Sequence, residues 1–328
     1  MITIRLPDIS AAVIRFARSP LWEAIAAARL VAGGRADNPL DLGRLCAPLS
    51  PTDIPTLARI FAKPAVSYTP DFLAPPPSSP APTFEEELKE LRKTPATTVV
   101  REITRWAERT AGREPRAMLA RGPAALVADV ATEAALVWNR VLRPRWAETE
   151  GILQGEILLC GQTLAQEGPA ALLARLHPAI DLSAGSLRVR GSSAGRTVAA
   201  RGPLLLVPTV FGAPDVFAVL DPPWPPSVYY PARGAALLGL ARPGAPARLC
   251  QALGTSRSRV LTALVVPTST MQLAARLRMS ASTTSAHLAR LRKAGLVRSS
   301  RRGHSVVYTL TETGHALLSV FDSGGRRA

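Results

Sequence analysis

The sequence predicts a mainly helical α+β chain, and three observations carry that prediction. Up to His177 the text reads as a series of helices begun by proline or by polar caps. From Ile180 to about Tyr230 it changes to short β-like runs punctuated by Gly and Pro, and after Gly234 it turns helical again. The charge is also lopsided. Of the formal +16, residues 231–328 carry +13, from fifteen Arg or Lys against only Glu312 and Asp322.

The opening "ITIRLP" alternates Ile2, Ile4 and Leu6 and predicts a short strand. A helix is expected over Asp8–Arg18, and another over Pro20–Val31, closed by Gly33-Gly34. Further helices are expected over about 51–62, 83–94, 97–110 and 124–145, with one more before His177. From Pro64 to Pro82 the prolines exclude a regular helix or a central strand, because proline lacks the N–H and fixes φ. A long surface loop is the expectation there. "SLRVRG", "RTVAARG", "PLLLVPTV", "DVFAVL" and "SVYYPAR" read as strands, and the proline-dense "DPPWPPSVYYPARG" closes the segment. The boundary is therefore placed between a domain at 1–232 and a smaller one at 233–328.

The charge asks for a polyanionic partner. From Arg257 to Arg302 there are ten cations and no carboxylate, whereas residues 1–230 sum to only +3. Cys46, Cys160 and Cys250 are odd in number and far apart, which fits reduced thiols. "MITIRLPDIS" lacks a signal-peptide profile. The most apolar stretch, "PLLLVPTVFGAPDVFAVL", is interrupted by three prolines and Asp215, so no membrane span is expected. The expected compartment is cytoplasmic.

"SASTTSAHLARLRKAG", residues 280–295, predicts the most informative helix. Ser280 is a good N-cap and Gly295 a good residue just past the C-terminus. Ala281, Thr284, Leu288 and Leu291 form the expected buried stripe. The outer face then carries Ser282, Thr283, Ala286, Ala289, Arg290 and Lys293, with Ser285 and His287 on its flanks. Small hydroxyl-bearing side chains let a helix approach base edges in a major groove, and cations hold the phosphate rims. Upstream, "PTSTMQLAARLRMS" reads as a shorter helix joined by a three-residue turn, which makes a helix-turn-helix. Downstream, "LVRSSRRGHSVVYTLT" reads as two strands around a glycine-containing turn, a basic hairpin of the kind that forms a wing.

With these residues in view, "STMQLAARLRMSASTTSAHLARLRKAGLVRSSRRGHSVVYTLTETG" resembles the winged helix-turn-helix of ArsR-type (arsenic-repressor-like) bacterial transcription regulators. "LLLVPTVFG…DPPWPPSVYYPARG" is similar to the upstream domain of an actinobacterial subgroup of such regulators. Arg278 stands where that family often has Gly, and Thr284 where valine is common. Founding members sense metals through paired cysteines or His and carboxylate clusters. Cys250 has no companion, and the Glu312/His315 pair supplies two ligands only, so no metal site is expected.

Enzyme chemistry is not expected either. "GSSAG" at 191–195 matches a nucleophile elbow formally, but β-like runs flank it where a strand and then a helix are required. The acidic run Glu85-Glu86-Glu87 reads as charge support on an exposed helix. Trp22, Trp106, Trp138 and Trp146 read as core, while Trp224, among prolines, is a candidate pocket or docking residue.

The reading is thus a two-domain regulator binding double-stranded DNA as a homodimer. Its first domain serves dimerisation, with sensing of an unknown small-molecule effector left open. Ser282, Thr283, Ser285, Ala286 and His287 are placed to meet base edges. Arg290, Lys293, Arg301, Arg302 and His304 are placed for phosphates or the wing contact. No catalytic residue, cofactor or metal ligand is assigned. The alternative is a protein-interaction module whose winged helix meets an acidic partner.

Overall fold

The computed structural model describes residues 2–5, 13–33, 42–62, 68–109, 115–183, 186–190, 196–199, 202–235, 238, 247–265, 268–277, 279–302 and 305–322. The chain divides into two compact units, Met1–Gly239 and Leu240–Ala328.

The first unit is helical with two small sheets. Its helices are α1 (Pro20–Gly33), α2 (Pro55–Phe61), α3 (Phe84–Arg92), α4 (Ala96–Glu108), α5 (Pro115–Met118), α6 (Pro123–Val137) and α7 (Trp146–Ala174). The backbone of α7 leaves helical geometry at Gly168, just before Pro169. Strands β1 (Ile2–Arg5), β3 (Ile180–Ser183), β4 (Ser186–Val189) and β5 (Arg196–Ala199) form one sheet in the order β3-β4-β1-β5. Strands β2 (Ile14–Phe16), β6 (Leu204–Thr209), β7 (Phe217–Val219) and β8 (Ser227–Pro231) form the other, in the order β2-β6-β8-β7. The central strand β6 is buried along its whole length and runs parallel to both neighbours, which explains its unbroken apolar text. Both sheets share one core, in which Ile2, Ile4, Leu187 and Val189 meet Leu204, Leu206, Val228 and Tyr230. Leu172 and Leu173, from the last turn of α7, join it.

Several expectations change. The helix predicted over Asp8–Arg18 is not formed in its described part, where Ile14–Phe16 is a strand paired with Leu204–Leu206. Its partner lies about 190 residues away, beyond any local pattern. The helix expected over 124–145 ends as α6 at Val137 and continues as a π-turn and a 3-10 turn containing Pro144, because proline removes a helical N–H and crowds the preceding turn. The proline-rich stretch is a surface loop only in part: Ser78, Ser79, Pro80 and Ala81 are exposed, whereas most of 70–77 is buried. Phe72 and Leu73 are fully buried. Prolines suit a buried connection because they bring no N–H that needs a partner.

Non-proline positions in such connections do need partners, and five buried glutamates supply them. Glu23, Glu87, Glu102, Glu133 and Glu156 are all at most 7% exposed. Glu133 on α6 accepts the N–H groups of Thr56 and Leu57 at the start of α2, at 2.9 and 2.8 Å. Glu102 accepts from Asp71 N–H and from the Tyr68 hydroxyl. Glu156 accepts from Arg233, both backbone and guanidinium. Glu23 accepts Val210 and Phe211 N–H at 2.8 and 2.7 Å. Glu87 accepts Leu21 N–H and the Ser19 hydroxyl at 2.8 and 2.7 Å, which corrects its reading as a solvated helix charge. Burial pushes Glu23 up to about 7 and Glu87 up to about 8, against the opposing pull of these donors.

The second unit contains α8 (Ala247–Leu253), α9 (Thr255–Ala263), α10 (Thr270–Leu277), α11 (Ala281–Lys293) and α12 (Glu312–Asp322). A three-stranded sheet, ordered β10-β11-β9, is built from β9 (Thr268–Ser269), β10 (Val297–Arg302) and β11 (Ser305–Leu310). Its core is aliphatic: Leu249, Val260, Leu261, Leu264, Leu273, Leu277, Leu288, Leu291, Leu296 and Leu310. Cys250 packs against it half-buried. Among the described residues no helix is long and apolar enough to cross a membrane.

Candidate nucleic-acid interface

The sequence of α11 fixes both its ends. Ser280 Oγ accepts the Thr283 N–H at 3.0 Å, satisfying a donor that the first turn leaves unpaired. At the other end the Leu296 N–H reaches Leu291 O and the Gly295 N–H reaches Arg292 O, both at 3.0 Å. This Schellman pair needs the left-handed φ of +72° at Gly295. Three of the four stripe residues, Thr284, Leu288 and Leu291, are buried. Ala281 is exposed instead, because the first turn lies at the unit's surface. The Thr284 hydroxyl needs no outside partner, since it donates to Ser280 O at 2.9 Å.

The opposite face is open. Ser282, Thr283, Ser285, Ala286, Ala289, Arg290 and Lys293 are all exposed. Ser280 gives its hydroxyl proton to Thr283 Oγ1 at 2.7 Å and lies 2.9 Å from Ser282 Oγ. Ser282 and Thr283 each keep hydroxyl capacity on the exposed side, as donor or acceptor. The face therefore carries rotatable hydroxyls side by side, which can donate or accept. His287 differs from its neighbours. It is half-buried, and its Nδ1 is shielded from solvent with no hydrogen-bond partner. Burial first, then Arg290 and Arg257, hold its pKa below the usual value.

The hairpin follows directly. β10 and β11 pair antiparallel from Val297↔Leu310 to Arg302↔Ser305, so Arg301 and Arg302 occupy the last paired positions of β10. His304 lies outside the described residues, as do Arg278 and the "GSSAG" segment. Two features were absent from the sequence reading. Arg292 is exposed and reaches Ser299 Oγ at 3.3 Å, linking α11 to β10. The two-residue strand β9 adds a third strand by pairing with Val307 and Tyr308. Arg292 had a signal, since it follows Leu291 in the acid-free run, whereas β9 is too short to leave one.

The unit is closed by α12. Thr311 Oγ1 accepts Gly314 N–H at 3.1 Å and donates to Gly295 O at 2.6 Å. A β-carbon on Gly314 would overlap the Leu296 carbonyl oxygen. "TETG" thus holds the last helix against the end of α11. Arg259 donates to Leu277 O at 3.0 Å and ties α9 to the end of α10.

In the first unit, Asp71, Glu102 and Asp221 bring one carboxylate oxygen each within 4.8 Å of one another. Arg105 pairs with Asp221 and with Glu102, and Tyr68 donates to Glu102. Arg101 also pairs with Glu102, so these acids are held in an ion-pair and hydrogen-bond network with two guanidiniums.

A helix-turn-helix with an acid-free outer face and a basic hairpin defines a DNA-binding unit of the transcription-regulator class. Residues 254–299 match the family described as bacterial regulatory protein, arsR family. Residues 121–236 match a family of unknown function, DUF5937. Among solved structures the chain is similar to HlyU from Vibrio cholerae N16961, at 30% identity over 26% of this chain and 96% of that one, with a TM-score of 0.21. No curated protein matches the chain.

Proposed function

We propose that this chain binds an operator in double-stranded DNA through residues 240–328 and does so as a homodimer in the cytoplasm. The observation that carries the reading is the exposed face of α11, hydroxylated at its N-terminal end and cationic at the other, in a stretch of ten cations and no carboxylate. Ser282, Thr283, Ser285, Ala286 and His287 meet base edges. Arg290, Lys293, Arg301, Arg302 and His304 meet phosphates or make the wing contact, with Arg292 bracing the hairpin against the helix. A two-fold dimer would read half-sites about 34–36 Å apart, one DNA turn.

Selection from random duplexes, followed by binding measured across salt concentrations, tests this. Enrichment of an imperfect palindrome is the expected result. Arg301→Ala with Arg302→Ala should weaken binding on every sequence and lower the salt slope by about two. Failure to enrich any sequence overturns operator reading, and an unchanged slope removes the hairpin from the interface.

A further inference from the structure

The first unit holds a cavity of about 470 Å³ at the β2 edge of its second, mixed sheet. Phe16 of β2 and Leu205 of β6 lie in its lining, with the Pro75–Pro80 segment, the junction of α3 and α4, and the Pro223–Pro225 turn around them. Eight of its eighteen lining residues are prolines, so much of the wall offers rigid ring faces and no N–H donors. The walls are fastened independently of any ligand. Arg18 N–H bonds Pro80 O at 3.1 Å, Leu205 N–H bonds Pro226 O at 3.0 Å, and Trp224 N–H bonds Asp221 O at 3.2 Å. Arg101 adds a bond to Pro222 O at 3.2 Å. A preformed apolar pocket of this volume is the size that takes one small molecule.

Its few polar groups restrict the ligand further. Lys93 is paired with Glu90 at 2.6 Å, so those two charges cancel. Arg15, exposed in the lining, has no carboxylate partner among the described residues. Half-exposed Trp224 presents an aromatic face amid the prolines. From the volume, the flat ring walls and the single uncompensated cation, we infer that this cavity binds a planar, ring-bearing monoanion of the aromatic-carboxylate class. The ring lies between Trp224 and the proline faces, and the anionic group pairs with Arg15. Service as an effector site rests on the operator reading above, but the binding itself does not.

The experiment is calorimetric titration of the full chain with 2-naphthoate and with neutral 2-naphthamide. One naphthoate per chain is expected, with the amide about tenfold weaker, as follows from losing a charge-assisted hydrogen bond. Arg15→Gln should erase the difference between the two compounds. Ser79→Trp places an indole in the cavity from an exposed lining position and should abolish binding, with Trp224→Ala as the independent second variant and melting curves showing each is folded. Absence of naphthoate binding, or binding indifferent to both Ser79→Trp and Trp224→Ala, overturns the site. Because the titration contains no DNA, it can succeed where operator selection fails, and the reverse.

Discussion

The two units spend their charges in opposite ways. In residues 1–239 five glutamates are buried and hold the N–H groups of distant connections. In the second unit the run from Arg257 to Arg302 has no acid at all, its core is aliphatic, and Arg257, Arg290, Arg292, Lys293 and Arg298 stand exposed. Internal carboxylates make the first unit a rigid frame around long proline-rich connections. Uncompensated external cations give the second a surface that is satisfied only by an anion. Net charge locates the second kind of use and is blind to the first, because buried acids offset exposed cations elsewhere in the sum.

The sharpest way to break this comparison is Glu23→Gln. Both oxygens accept backbone N–H groups, so an amide must turn its NH2 toward one of them. The side chain is fully buried, so the new donor is shielded from bulk solvent. A loss of about 2–4 kcal/mol is expected, from one orphaned donor plus donor–donor repulsion. Chemical denaturation of the full chain should show it as an earlier transition of the first unit, and an unchanged transition would mean that Glu23 is not what holds the 210–211 turn.

The second unit depends on close approach rather than on buried charge. Gly314→Ala puts a methyl group into the Leu296 carbonyl, in backbone that cannot give way as a side-chain tip would. About 1–3 kcal/mol should be lost there, with the first unit's transition left in place. Equal loss in both units would show that they unfold together.

These two sites also show what a sequence can and cannot disclose. The bounds of α11 were legible because Ser280 and Gly295 act on N–H and C=O groups three to five residues away. Its exposed hydroxyls followed from the same local periodicity. Strand β2 was misread as helix because three residues carry little pattern and its partner is β6. Glu87 was read as solvated because its neighbours are charged, while the groups that bury it, Ser19 and Leu21, lie 66 to 68 positions back. The pocket is lined by residues from five separate segments, and only Trp224, conspicuous among prolines, drew notice in advance. Chemistry completed within a turn of helix is readable, and chemistry completed across the fold is not.

A smaller effect separates the buried acids by pH. Glu87 and Glu23 are pushed up to about 8 and about 7 from an ordinary 4.5. The folded state therefore binds more protons than the unfolded one across that window, and stability falls as pH rises through it. These groups give their full contribution below about 4.5 and lose it by about 8. Glu87→Gln should flatten the decline, since its amide can still accept from Leu21 and donate to Ser19. Melting temperatures of wild type and variant at pH 5 and pH 8 measure the difference, and parallel curves would show that Glu87 does not titrate there.

The least effect is expected at Thr284, in the stripe of α11. Thr284→Val keeps the shape and removes a hydroxyl whose only role is to donate to Ser280 O. That carbonyl also accepts the Thr284 N–H at 3.0 Å, so it is not left unpaired. Removing a donor while its acceptor stays satisfied costs little, and the added methyl enters an aliphatic core. The stability change should lie within about 1 kcal/mol of zero, with DNA binding unaltered because the residue is fully buried. A large loss would mean that the hydroxyl orients the Ser280 cap, and through it the hydroxyls that Ser282 and Thr283 present. The same substitution thus measures whether the outer face of α11 is set by its own N-cap or by the core beneath it.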